Sequence, residues 1–172
     1  MNSIEIEKTY LLKYLPQDLR NFSSKEILDI YIPLSVNHPE LRIRKNGDFL
    51  EITKKIPVSE DNMSIQTENT IPLTQEEYNT LSKVEGKRVR KIRYQYKYKE
   101  YIAEIDIFQD ELEGLVLVDF EFEKEEELKN FEIPDFCLCD VTEEEFIAGG
   151  MLCGKSYSDI ENKLDTLNYK KI

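Results

Sequence analysis

Apolar and polar positions alternate with a period of two along most of this chain. The run Ile4-Glu5-Ile6-Glu7 opens it. Successive side chains of a strand take opposite faces, so Glu5 and Glu7 share one face while Ile4 and Ile6 share the other. Asp29-Ile30-Tyr31-Ile32 repeats the pattern, with Tyr31 opposite the isoleucines, and Pro33 stops it. Leu41-Arg42-Ile43-Arg44-Lys45 puts Arg42 and Arg44 together, and Asn46-Gly47 predicts a hairpin because both residues tolerate positive φ. On the returning strand, residues 49–55, strict alternation groups Lys54 with Leu50 and Ile52, and Lys55 with Glu51 and Thr53. Parity alone leaves open which lysine shares the arginine side.

Four further strands follow. Residues 65–71 place Gln66, Glu68 and Thr70 on one face. Residues 87–99 set Lys91, Arg93, Gln95 and Lys97 against Ile92, Tyr94, Tyr96 and Tyr98. Residues 101–108 set Glu104 and Asp106 against Ala103, Ile105 and Ile107, and residues 115–123 set Asp119, Glu121 and Glu123 against Val116, Val118, Phe120 and Phe122. Short helices are predicted over 16–27, from Thr74 with Glu77 as its capping-box partner, over 125–130, and from Thr142. A C-terminal helix opens on a Ser158/Glu161 box and carries an Ile160, Leu164, Leu167 stripe. Loops are expected over 34–39, 59–64 and 149–154; His38 has no evident role in the first.

At 172 residues, 40% hydrophobic, the chain has material for one core and one domain (1–172), with 155–172 an appended helix. No apolar run would span a bilayer and no charged-then-apolar leader opens the chain, so a soluble, cytoplasmic protein with no membrane partner is expected. Three cysteines, Cys137, Cys139 and Cys153, with one distant histidine argue against a disulfide framework or a zinc site. The net charge of -12 disfavours a nucleic-acid binder. Yet the charges are segregated: residues 83–99 are basic apart from Glu85, and 104–127 are acidic apart from Lys124.

Same-face ionisable pairs recur: Glu5/Glu7, Arg42/Arg44, Lys91/Arg93, Glu104/Asp106 and Asp119/Glu121. If the sheet closes, its wet face becomes an interior lined by both signs, which cannot fill with apolar side chains. Like carboxylates this close need a cation between them, and a divalent metal with oxygen ligands is the simplest. Lys and Arg bind phosphate oxygens. Hydrolysis of a phosphoanhydride needs positioning, charge neutralisation and an aligned water, and the chain has neither a nucleophile constellation nor a P-loop.

The opening acidic strand, Leu41-Arg-Ile-Arg44, Ile52-Thr-Lys54, residues 85–93, Glu104-Ile-Asp106, residues 117–122 and Asp140-Val-Thr142 together resemble the CYTH superfamily, the triphosphate tunnel metalloenzymes. The resemblance runs from about Ile4 to Lys155. It implies an α+β fold: a closed eight-stranded antiparallel barrel with helices packed outside. It also implies Mg²⁺ or Mn²⁺ and a small triphosphate as partner. Hydrolysis of inorganic tripolyphosphate comes first, with nucleoside or thiamine triphosphate and a class IV-type adenylate cyclase as alternatives; the oligomer would be a monomer or homodimer. By the same resemblance, Glu5, Glu7, Asp119 and Glu121 look like metal ligands, and Arg42, Arg44, Lys54, Lys91 and Arg93 like phosphate binders. Glu68, Glu104 and Asp106 look like further tunnel acids, and Tyr31 and Glu121 like catalytic residues. The resemblance favours Lys54 over Lys55. The departure is Thr9, where the family's E-x-E-x-K signature has lysine; Lys8 is one residue early and faces away. A binding protein with little turnover is therefore the alternative to an enzyme. Lys155 is a candidate stand-in for the lost charge.

Overall fold

The alternating strands find partners on both edges, and the last edge meets the first. The computed structural model describes residues 2–59 and 62–172. The strands are β1 (Asn2–Leu12), β2 (Ser24–Ile32), β3 (Leu41–Asn46), β4 (Phe49–Ser59), β5 (Asn62–Pro72), β6 (Lys87–Tyr98), β7 (Tyr101–Phe108) and β8 (Val116–Phe122). They run in the order β5-β4-β3-β2-β6-β7-β8-β1, and β1 also pairs with β5, from Asn2 opposite Asn69 to Ile6 opposite Ile65. Each pairing is antiparallel. The result is the expected α+β closed eight-stranded barrel, which has no exposed edge around the ring. A short β9 (Cys137–Asp140) extends the far end of β1. Around the barrel lie α1 (Gln75–Leu81), α2 (Glu125–Asn130), α3 (Gly149–Leu152) and α4 (Tyr157–Thr166). Among the described residues, no helix is long and apolar enough to cross a membrane.

Several element boundaries differ from expectation. Residues 16–27 hold only a 3₁₀ turn, Leu19–Asn21, because Ser24 onward pairs with β6 up to Ser24 opposite Tyr94. The sheet ladder overrides a weak local helix signal. The expected polar loop over 59–64 is instead the tip of a longer β4–β5 hairpin, with Ser59 opposite Asn62. Glu60 and Asp61 there, and the side chain of Ile4, lie outside the described residues. The β3–β4 turn is Gly47-Asp48, with Asn46 opposite Phe49 and Gly47 at φ 61°. The Thr74/Glu77 box caps α1 as predicted, but α4 is capped by Ser156 and Asp159, two residues early. Gly149-Gly150 starts the helical turn α3 rather than a loop. Thr142 caps no helix; its hydroxyl donates to Asp140 and accepts the Thr9 N–H.

The inward face changes character along each strand. Glu5, Glu7 and Thr9 give way to Leu11 on β1; Gln95, Arg93 and Lys91 to Val89 on β6; Glu104 and Asp106 to Phe108 on β7; Glu121 and Asp119 to Leu117 on β8. The apolar ends gather with Tyr31, Phe146, Ile147 and Leu152, and α4 adds Tyr157, Ile160 and Leu164 to the same cluster. One end of the barrel is thus plugged. An interior wholly unable to fill with apolar side chains describes only the charged half; the molecule is a pit with an apolar floor. Outside, Tyr10, Leu12, Ile105, Val118 and Phe120 form a second core beneath Phe131 and Phe136. Tyr169 ties the C-terminus down: it is 1% exposed, and its hydroxyl donates to the Gly114 carbonyl and accepts the Val116 N–H, both at 2.8 Å.

Asp29 and Arg44 are sealed into the wall above this floor, 2% and 7% exposed, joined by two hydrogen bonds of 2.6 and 2.7 Å. Burial alone would raise the Asp29 pKa, but the Arg44 charge and hydrogen bonds, helped by Arg42 and Lys91, bring it down to about 2. Breaking one side of such a pair strands a buried charge, so Asp29→Ala is expected to cost about 3–5 kcal/mol in denaturant unfolding. Because the folded pKa lies below the ordinary 3.8, this stabilisation is complete above pH 3.8 and fades as pH falls toward about 2. An acid titration of wild-type stability should show that loss, and Asp29→Ala should lack it.

Candidate active site

The pit is a cavity of about 410 Å³. Among the described residues, eleven carboxylates and six Lys or Arg line it. Acids therefore outnumber bases on its wall, and cations entering with a polyanion would offset that excess.

The register assembles the two walls. Arg42 and Arg44 face in from β3, Asp29 and Tyr31 from β2, and Lys91 and Arg93 from β6. Glu5, Glu7, Asp119 and Glu121 face in from β1 and β8, with Glu7 opposite Glu121 and Thr9 opposite Asp119. The charges are already paired with one another. Arg93 makes two 2.6 Å bonds to Asp106, a short one to Glu104 and a 3.4 Å contact to Asp119. Lys91 makes a short bond to Asp106. Arg42 reaches Glu68 at 3.4 Å and the Tyr31 hydroxyl at 3.5 Å, and its buried Nε donates to nothing. The Lys55 ammonium lies between Glu5 and Glu7, at 2.9 and 2.8 Å.

The titration pattern records where negative charge is in excess. Burial, then Glu7, pushes Asp119 up to about 6 against the pull of Arg93. Partial burial on the inner wall, then Glu104, Glu5 and Glu7, pushes Glu121 up to about 6. Asp106 is held well below the usual carboxylate range, since Arg93 and Lys91 outweigh its burial. Burial pushes Lys91 down, with Arg93 and Arg44 adding to it against Asp106. A hard divalent cation with oxygen ligands suits the carboxylate side of the pit, where acids crowd one another. As the side chains stand, no three acidic, His or Cys side chains among the described residues form a ligand cluster, because Lys55 and Arg93 hold the carboxylates in pairs.

Most of the sequence-picked residues meet in this one space. Glu5, Glu7, Tyr31, Arg42, Arg44, Glu68, Lys91, Arg93, Glu104, Asp106, Asp119 and Glu121 all line it. Lys54 does not. It is half exposed and lies 3.7 Å from Glu40, while Lys55 points inward. β4 keeps strict alternation here, its register shifting only at Pro57/Ser59, so no bulge exists to turn Lys54 inward. Lys155 is another correction: it borders a separate outer groove with Arg88 and Arg90. Lys8 faces out, as expected, and bonds Asp140 at 2.8 Å. Thr9 spends its hydroxyl on Asp119, at 2.7 Å. The sequence reading missed Lys55, Gln66 and the segment 144–150 as lining, and Asp29 as the buried partner of Arg44; parity with Thr53 and with Tyr31 points to Lys55 and Asp29. His38, given no role, sits at the cavity wall 3.7 Å from Glu145. None of the three cysteines lines the cavity; Cys137 and Cys153 are buried, which pushes their thiols up to about 12 and about 11.

Gly149 sets how closely α3 can approach the floor. A Cβ there would sit 2.2 Å from the Tyr31 hydroxyl oxygen. Gly149→Ala should displace Tyr31 and destabilise the fold by about 1–3 kcal/mol. Tyr31→Phe in the same chain should recover most of that loss in thermal melts, because it removes the nearest clashing atom.

No family model matches the chain. It is 32% identical over 142 residues to an inorganic triphosphatase from Nitrosomonas europaea, covering 81% of this chain and 90% of that protein. The crystal structure of the inorganic triphosphatase NE1496 superposes with a TM-score of 0.64 at 26% identity, over 88% of this chain and 95% of that one. A putative adenylate cyclase from Bacillus halodurans shares the fold, with a TM-score of 0.58 at 14% identity, over 99% of this chain and 93% of that one. The closed barrel, its two charged walls and this degree of relatedness agree: the chain belongs to the CYTH superfamily of triphosphate tunnel proteins.

Proposed function

We propose that the protein hydrolyses a small triphosphate inside the pit, with inorganic tripolyphosphate as first substrate and Mg²⁺ or Mn²⁺ as cofactor. The observation that carries this is the facing of Arg42, Lys91 and Arg93 by an over-acidic wall of Glu5, Glu7, Asp119 and Glu121 in one closed space. The relationship to an inorganic triphosphatase supports the choice of substrate.

Glu5, Glu7, Asp119 and Glu121 would hold the metal, which when bound neutralises phosphate oxygens as a Lewis acid. The chain's own groups do the rest. Arg42 brings an uncommitted Nε and two loosely engaged terminal nitrogens to the phosphate chain. Arg93 and Lys91 keep a fixed position through Asp106 and present their remaining donors. Lys55, rather than Lys54, supplies the β4 cation. Arg44 is committed to Asp29, so it shapes the wall and contributes its field. The Tyr31 hydroxyl stands on the floor beside Arg42, where burial raises its pKa and keeps it a neutral donor. The apolar floor excludes bulk water from the inner end.

Thr9 favours a second reading, binding with little turnover, since its hydroxyl is tied to Asp119 where a lysine would add charge and reach. One assay separates the two: phosphate, pyrophosphate and cyclic AMP are measured with tripolyphosphate, thiamine triphosphate or ATP, with and without Mg²⁺ or Mn²⁺. Metal-dependent phosphate release, lowered about 10²-fold or more by Glu121→Gln, is expected. Tight binding without product would establish the second reading, and neither binding nor turnover would remove both. In the same assay Lys55→Ala should lower kcat/KM about tenfold or more, while Lys54→Ala, on the outer surface, stays within about twofold. Thr9→Lys should raise kcat at least about tenfold, and an unchanged rate would show that the threonine costs nothing.

A further inference from the structure

The lysine missing from β1 has a counterpart in space. Lys55 reaches across from β4 and sets its ammonium between Glu5 and Glu7, at 2.9 and 2.8 Å, while Gln66 donates to the same Glu7 oxygen at 3.0 Å. Its side chain is only 19% exposed. With Thr9 turned to Asp119, β1 itself offers those two carboxylates no cation. A divalent ion held by Glu5 and Glu7 would need the space and the charge balance that the ammonium now supplies. Two cations cannot share it without strong repulsion.

Resting on the triphosphatase reading above, we propose that Lys55 is an exchangeable resident cation: metal entering at Glu5 and Glu7 displaces its ammonium toward the phosphate-binding wall. That wall is within its swing. Lys55 lies opposite Glu68, which pairs with Arg42, and Arg42 in turn lies opposite Thr53, the next inward residue on β4. The displaced ammonium therefore arrives beside the Arg42 guanidinium, whose buried Nε donates to no partner. Metal and triphosphate then favour each other through Lys55, beyond any direct bond between them. Linkage requires the effect to be reciprocal. The device also keeps the acid-rich pit from collapsing or opening under its own repulsion before metal arrives.

The test is calorimetric titration of the full-length protein with Mn²⁺ and no phosphate present, on wild type, Lys55→Met, Lys55→Gln and Lys25→Met. Lys25 lines the same cavity, so its loss controls for removal of one positive charge. Both Lys55 variants should bind Mn²⁺ roughly 5–150-fold tighter than wild type, with Lys25→Met within about twofold. In parallel, ¹⁵N NMR of the lysine ammonium groups should show the Lys55 signal moving on addition of Mg²⁺. Unchanged or weaker Mn²⁺ affinity in both Lys55 variants overturns the proposal. So does an equal gain in Lys25→Met, an unmoved Lys55 signal at saturating Mg²⁺, or an absence of Mn²⁺ binding. Phosphate release by the wild type from the same preparation shows whether the triphosphatase reading survives that failure. Melting curves establish that each variant is folded.

Discussion

Everything distinctive about this molecule follows from the pairing of β1 with β5. Five residue pairs, from Asn2 opposite Asn69 to Ile6 opposite Ile65, turn an open antiparallel sheet into a ring. In an open sheet the alternating Glu, Arg and Lys residues would face water and each would be worth little. Closure takes water's screening away and makes them one another's environment. Arg44 with Asp29, Arg93 with Asp106 and Lys55 with Glu5 and Glu7 are the consequence. Charges so buried are held by mutual neutralisation, and burial, with the neighbouring acids adding to it, leaves Asp119 and Glu121 reluctant to ionise.

The floor matters as much as the walls. Val89, Phe108 and Leu117 continue the inward positions of charged residues two places earlier or later on the same strands, and Leu11 follows Glu7 and Thr9 on β1. A strand does not know which end of a barrel it will seal, but its sequence records the change. The plug also integrates α4, since Tyr157, Ile160 and Leu164 belong to the same apolar cluster. Such an apolar boundary closes one end of the charged cavity and favours exclusion of water there.

The strands and their faces were legible from period two alone, because polar and apolar residues alternate strictly over 91–98, 103–107 and 118–122. Closure was not, since no local pattern states that β1 will find β5. Where local signals were weak, tertiary pairing decided: residues 24–27 look helical and became strand, and residues 59 and 62 look like loop and pair as strand. Lys54 shows a different kind of error. Parity had grouped Lys55 with Glu51 and Thr53, and the structure keeps that grouping, whereas motif resemblance pulled the choice outward by one residue. Asp29 was hidden for a simpler reason. Its importance lies in Arg44, fifteen residues away in sequence and opposite it in register.

The most direct test of the charged pit as a triphosphate site is a crystal structure grown with tripolyphosphate and Mn²⁺, using anomalous scattering to place the metal. Phosphate density against Arg42, Lys91 and Arg93, with manganese at Glu5, Glu7 and the β8 acids, is the expected result. Phosphate bound instead in the outer groove of Arg88, Arg90 and Lys155, with the pit's ion pairs unchanged, would contradict it.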